Sequence, residues 1–183
     1  MSHVLVLNAD AQPLSILPLS LLDWQEAVKV IFLGRVDVLE EYADWTIRSP
    51  SIEMNVPSII MLHDYVKVSK SVRFSRYNLF LRDMFKCQYC MENFVDNHHE
   101  LTLDHVVPRS SGGKTTWVNS VAACSVCNTR KANHSHMKPK IAPRKPSYFE
   151  LADKRRAFPI AIPEMSWNYY LQWPEALIKI RNN

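Results

Sequence analysis

Apolar positions recur along the chain with two different periods, and the switches between them divide it into elements. Residues 3–7 are a short apolar run with the composition of a strand, and 8–13 carry the Asn, Asp and Pro of a turn. From 20 to 33 the spacing of Trp24, Val28 and Ile31 becomes helical. An amphipathic helix is predicted there, with Ser20 as its N-cap, Gly34 as its stop and those three side chains facing a core. Short runs at 36–39, 45–47 and 58–62 read as strands, punctuated by Pro50 and Pro57. Residues 71–86 form a junction that turns helical from about Ser75. The stretch 101–107 alternates apolar and polar as a half-buried strand does, until Pro108 and the run Ser110, Ser111, Gly112, Gly113 stop it. Asp104 and His105 therefore point to opposite faces at a strand end. Segment 117–123 suits a second strand or a short helical turn, and 125–133, free of Pro and Gly, suits a helix.

After Asn133 the composition shifts. Pro139, Pro143, Pro146, Pro159, Pro163 and Pro174 predict an extended wrap with short helices near 148–154 and 174–180. Trp167, Tyr170 and Trp173 either anchor that wrap by packing or stack on bases, and packing is the commoner use of large aromatics. The expected organisation is α+β: an N-terminal α/β unit over 1–70, a central unit over 71–138 and a C-terminal wrapping tail over 139–183.

Length and composition set bounds. With 183 residues, 47% of them hydrophobic and five tryptophans, the chain has the material for a real core. No apolar run approaches the roughly 20 residues of a membrane helix, three glycines exclude a flexible low-complexity linker, and no internal repeat is present. Charge is uneven. Residues 63–145 hold 14 Lys and Arg against 6 Asp and Glu, so this part carries +8 where the whole chain carries +4. Such an asymmetry fits a nucleic-acid partner bound by the middle of the chain.

The same middle holds every cysteine, as Cys87-x-x-Cys90 and Cys124-x-x-Cys127. Two residues between thiols let both sulfurs converge at one turn, and two such pairs supply a closed tetrahedral thiolate site for zinc. A redox dithiol shares the spacing of a single pair, and disulfides are the other alternative. The opening residues lack a basic start followed by an apolar run, so an intracellular setting and zinc are expected. Four thiolates leave the ion no open position, so its role would be structural. Between the pairs stand Asp104, His105, Pro108, Gly112, Gly113 and Asn119, and Asn128 follows the last thiol. Singly, such residues are usually solvated loop pairs, turn residues or caps. Their ordered set between zinc-spaced thiols points to a nuclease.

In that order these residues resemble the signature of HNH endonucleases of the ββα-metal class, over roughly 82–131. The resemblance implies a strand, strand, helix unit clipped by zinc, a cytoplasmic protein of bacterial or phage type, and hydrolysis of DNA to 5′-phosphate and 3′-hydroxyl ends. It makes His105 the general base, Asp104 and Asn128 the holders of a catalytic cation, and Asn119 the support that ties the loop. One departure matters: the third signature position, often histidine, is Asn128, and position 132 is alanine, so a double-histidine metal site is not available. Oxygen ligands favour Mg²⁺ or Mn²⁺. Arg109, Lys114, Arg130 and Lys131 flank the site and are the candidate phosphate contacts, within a wider basic set of Arg73, Arg76 and Arg82. His98, His99, His134 and His136 read as loop or tail residues, and His3 and His63 receive no role. The rival readings are a zinc-stabilised nucleic-acid-binding module that does not cut and a protein-interaction factor folded by zinc. Similar leaders precede the catalytic unit in some stand-alone HNH proteins. Oligomeric state is not legible.

Overall fold

The structure is a computed structural model describing residues 3–181. It forms two compact units, one made of the residues up to Ser69 together with those from Arg156 on, the other of Lys70–Arg155. The segment after residue 139 is thus divided between the two units at Arg155 rather than forming one tail.

The first unit is built on a four-stranded sheet. Strand β1 (His3–Leu7) pairs antiparallel with β2 (Leu21–Asp23) and parallel with β4 (Glu53–Leu62), which pairs antiparallel with β3 (Val36–Arg48). Alternate side chains of β1 and β4 enter two separate cores. Leu5, Leu7 and Ile59 pack with Ile160, Ile162, Trp167, Leu171 and Trp173, while Val4, Val6 and Ile60 pack with Ala27 of helix α1 (Trp24–Phe32) and Val36. Both faces of β1 are covered from Val4 to Leu7, which is why those residues are all apolar instead of alternating.

Three expectations are corrected here. The predicted 20–33 helix begins only at Trp24, because Leu21 and Leu22 join β1 as a strand. Ser20 is not its cap: its hydroxyl donates to Val6 O at 2.9 Å, and Asp23 holds the N-cap position. Gly34 does stop the helix, in the left-handed region at φ 63°. The runs at 36–39 and 45–47 are one irregular strand, and Pro57 sits inside β4. Its partner is Glu41, between two register shifts, where the ladder tolerates a residue with no N–H.

In the C-terminal segment, Trp167 and Trp173 are buried, so packing is the role they play. Residues 174–180 are not the predicted helix. After a short 3-10 turn at Glu175–Leu177, the strand Ile178–Ile180 pairs parallel with Ile160–Ile162, as its alternating isoleucines favour.

The second unit contains α2 (Arg76–Arg82), β5 (Leu101–His105), β6 (Ser120–Cys124), α3 (Ser125–Lys131) and all but the last residue of α4 (Tyr148–Arg156). Ser75 caps α2 by accepting from Asn78 N–H at 3.1 Å. Strands β5 and β6 form an antiparallel hairpin in register from Leu101↔Cys124 to His105↔Ser120, and β6 is buried along its length. Segment 117–123 therefore resolves as a strand. At the end of α2 the buried Arg82 pairs with Asp83 at 2.8 Å and donates to the carbonyls of Trp117, Ser120 and Arg144. Its cation fastens helix, hairpin and the following extended segment together. Among the described residues, no helix is long and apolar enough to cross a membrane.

Candidate active site and metal centre

The cysteine pairs flank this hairpin in the chain. Cys87 and Cys90 lie on a tight knuckle after α2, whose Gln88 N–H bonds to Ala122 O on β6 at 2.8 Å. Cys124 ends β6, and its sulfur accepts the N–H of Cys127 at 3.4 Å as the cap of α3. All four sulfurs lie within 4.8 Å of one another and none is in a disulfide. Burial pushes the thiols up, but N–H groups of Cys90, Cys124 and Tyr89 bring Cys87 down to about 7. Burial and the neighbouring sulfurs raise Cys90 and Cys127 instead. One negative charge is accommodated and further ones repel it. Four converging thiols of this kind can hold a metal such as zinc.

Asp104 and His105 close strand β5. The Asp104 carboxylate is buried, accepts the Tyr89 hydroxyl at 2.5 Å and meets Lys131 Nζ at 3.2 and 3.3 Å. Tyr89 stays protonated, since burial and the adjacent Asp104 carry its pKa far above the ordinary tyrosine value. The Lys131 ammonium also donates to His105 O at 2.7 Å. Asn128, on the same helix, places Nδ2 2.9 Å from Thr102 Oγ1. Residues 102 and 104 share a face of β5, and 128 and 131 share a face of α3, so the helix lies across that face and brings Asn128 and Asp104 to one side.

His105 points elsewhere. Its Nε2 is 2.7 Å from Thr115 Oγ1, and Nδ1 has no hydrogen-bond partner among the described residues. Burial lowers its pKa below the ordinary histidine value, Arg109 and Lys131 add to the lowering, and Asp104 opposes it. The ring is neutral near pH 7 and able to accept a proton.

Asn119 holds the loop between the strands. Its Oδ1 accepts Val107 N–H at 2.8 Å, and Nδ2 donates to Val107 O and Lys114 O at 3.1 and 3.0 Å. Gly113 fits beneath this clamp only because it has no side chain: a Cβ there would fall 1.8 Å from Val107 O and 2.9 Å from Asn119 Nδ2.

Asp104, His105, Asn119 and Asn128 thus belong to one strand, strand, helix unit. Arg109, Lys114 and Arg130 are exposed. Lys131 is not the phosphate contact expected of it. At 1% exposure its ammonium is turned inward to Asp104 and the His105 carbonyl. Arg82 is likewise buried and fully engaged. Residues the sequence reading passed over are Tyr89, Thr102 and Thr115. Tyr89 lies inside the Cys-x-x-Cys knuckle, a position that ties it to the site, but neither threonine carries a local signal. His98 and His99 lie on an exposed 3-10 turn, and His134 and His136 are exposed with ring centroids 5.2 Å apart. His3 and His63 face Asp23 and Asp37 at 3.3 and 3.0 Å.

A second cation would suit the Asp104 side. Its carboxylate keeps lone-pair capacity beyond Tyr89 and Lys131, and Asn128 could offer an amide oxygen, so the donors available there are hard oxygens. Residues 87–134 match the family model described as HNH endonuclease. Residues 4–70 match that described as HNH endonuclease-associated, N-terminal domain. No curated protein is similar enough to the chain to count as a match.

Proposed function

Since the chain carries an HNH endonuclease domain over residues 87–134 and an HNH-associated N-terminal domain over 4–70, we propose that it is a metal-dependent DNA endonuclease. It hydrolyses phosphodiester bonds to 5′-phosphate and 3′-hydroxyl ends. The observation that carries this reading is His105: buried enough to stay neutral, with one ring nitrogen engaged by Thr115 and the other free. Nδ1 takes the proton from the water that attacks phosphorus. Asn119 keeps the loop beside it in place through its three bonds to Val107 and Lys114. Asp104 and Asn128 would hold Mg²⁺ or Mn²⁺, which when bound stabilises charge developing on the phosphate and the leaving oxygen. The four cysteines would hold zinc in a structural role.

Charge supports a nucleic-acid substrate. The unit spanning Lys70–Arg155 holds 15 Lys and Arg against 7 Asp and Glu, while the other holds 7 against 11. Exposed Arg109, Lys114 and Arg130 contact phosphates, so binding weakens steeply with salt.

One observation favours the rival reading, a zinc-stabilised nucleic-acid-binding module that does not cut: Lys131 already neutralises Asp104. A cleavage assay separates the two. Supercoiled plasmid is nicked or linearised with Mg²⁺ or Mn²⁺, and His105→Ala slows this about 10²- to 10⁴-fold while duplex binding persists. A wild-type chain that binds duplex but is inert with every divalent cation would leave the module as the correct reading.

A further inference from the structure

An asparagine serves as a metal ligand only through its oxygen, and its amide has two ends of opposite polarity. A carboxylate needs no such orientation, because both of its ends are oxygen. Asn128 therefore requires something to decide which end faces the cation.

Thr102 stands where it can decide. Its Oγ1 is 2.9 Å from Ala123 O and 2.9 Å from Asn128 Nδ2. A hydroxyl has one hydrogen, and a carbonyl oxygen can only accept, so that hydrogen goes to Ala123. Toward Asn128 the hydroxyl then presents lone pairs alone, and it must receive an N–H. The amide is fixed with nitrogen toward β5 and oxygen turned away. The opposite orientation would set oxygen against oxygen and aim an NH₂ group at the cation.

Resting on the reading of Asn128 as an oxygen ligand, we propose that Thr102 is a positioning residue whose hydroxyl, held by the Ala123 carbonyl, presents the Asn128 oxygen to the divalent cation. One face of β5 then serves both ligands, directly through Asp104 and indirectly through Thr102 two residues earlier. The arrangement is specific to asparagine at position 128.

The test uses the full zinc-loaded chain and Mn²⁺ as the probe. Thr102→Val keeps the shape and strand preference of the side chain. It weakens Mn²⁺ binding about 10- to 100-fold, the usual cost of losing a group that orients a metal ligand. Thr102→Ser restores binding. In an Asn128→Asp background, where nothing needs orienting, Thr102→Val has no effect on Mn²⁺ affinity, so the two changes are non-additive. Without metal, the Asn128 side-chain amide gives one sharp pair of NMR signals in the wild type and exchange-broadened ones in Thr102→Val. Equal Mn²⁺ affinity of wild type and Thr102→Val, or unchanged amide signals, overturns the role of Thr102 alone. A wild type that binds no Mn²⁺ overturns the reading of the site and this inference with it.

Discussion

The N-terminal unit covers both faces of its four-stranded sheet with apolar side chains, from α1 on one side and the buried Trp167 and Trp173 on the other. The cysteine-bearing unit has only a two-stranded hairpin. A lone hairpin is marginal in water, and here it is held by a thiol cluster at one end, the Arg82 cation and the Lys131–Asp104 pair. Apolar packing stabilises both units, in the second through Leu79, Leu81, Leu101 and Val121; the second adds specific buried polar contacts and a thiol cluster that could hold a metal. That difference suits a catalytic role, because a site made of oriented polar groups is poorly served by a purely apolar core.

Removing metal should break the comparison open most widely. Structural zinc is worth about 10–16 kcal/mol in small zinc domains, so a chelator is expected to abolish hydrogen-exchange protection of β5 and β6 while β1 and β4 keep theirs. Protection of β5 and β6 that survives chelation would mean that the hairpin stands without its metal. The converse experiment is Leu5→Ala. Truncating this fully buried side chain costs about 2–5 kcal/mol, read as a lower unfolding midpoint for the N-terminal unit with zinc content unchanged. Zinc lost along with that unit's structure would show that the two are energetically one.

The smallest expected effect is in pH dependence. The folded pKa of His105 lies below the ordinary value of 6.5, so between the two values the folded chain binds fewer protons than the unfolded one. Its contribution to stability is complete above about 6.5 and is lost as pH falls through that value toward the folded pKa. Cleavage rate follows the same group: level near pH 7 and above, and falling on acidification with a midpoint below 6.5. A midpoint above 6.5 would mean that Asp104, the one opposing influence, dominates the ring.

How much of this was legible in the sequence depended on the range of the interactions. The cysteine pairs, the strand beginning at 101 and the helix start near Ser75 rest on neighbours a few residues apart, and each reads directly. Strand β2 did not, because Leu21 and Leu22 satisfy a helical period as well as a strand's, and only pairing with β1 decides between them. The long β3 reads as two fragments because Glu40, Glu41 and Asp44 interrupt its alternation on an exposed edge. Lys131 misled for a different reason. A lysine beside a nuclease motif is ordinarily a phosphate contact, and nothing local reveals that its ammonium reaches partners 26 and 27 residues earlier. Thr102 and Thr115 act through similar cross-hairpin bonds, which a linear reading cannot supply.

The central claim is that Asp104 and Asn128 share one divalent cation. Diffraction from crystals soaked in Mn²⁺, measured for anomalous signal, tests it most directly. The account predicts a peak in coordination distance, about 2.0–2.2 Å, of an Asp104 carboxylate oxygen and Asn128 Oδ1, with Lys131 still against Asp104. No manganese at Asp104, or manganese bound there with Asn128 Oδ1 out of reach, would contradict it.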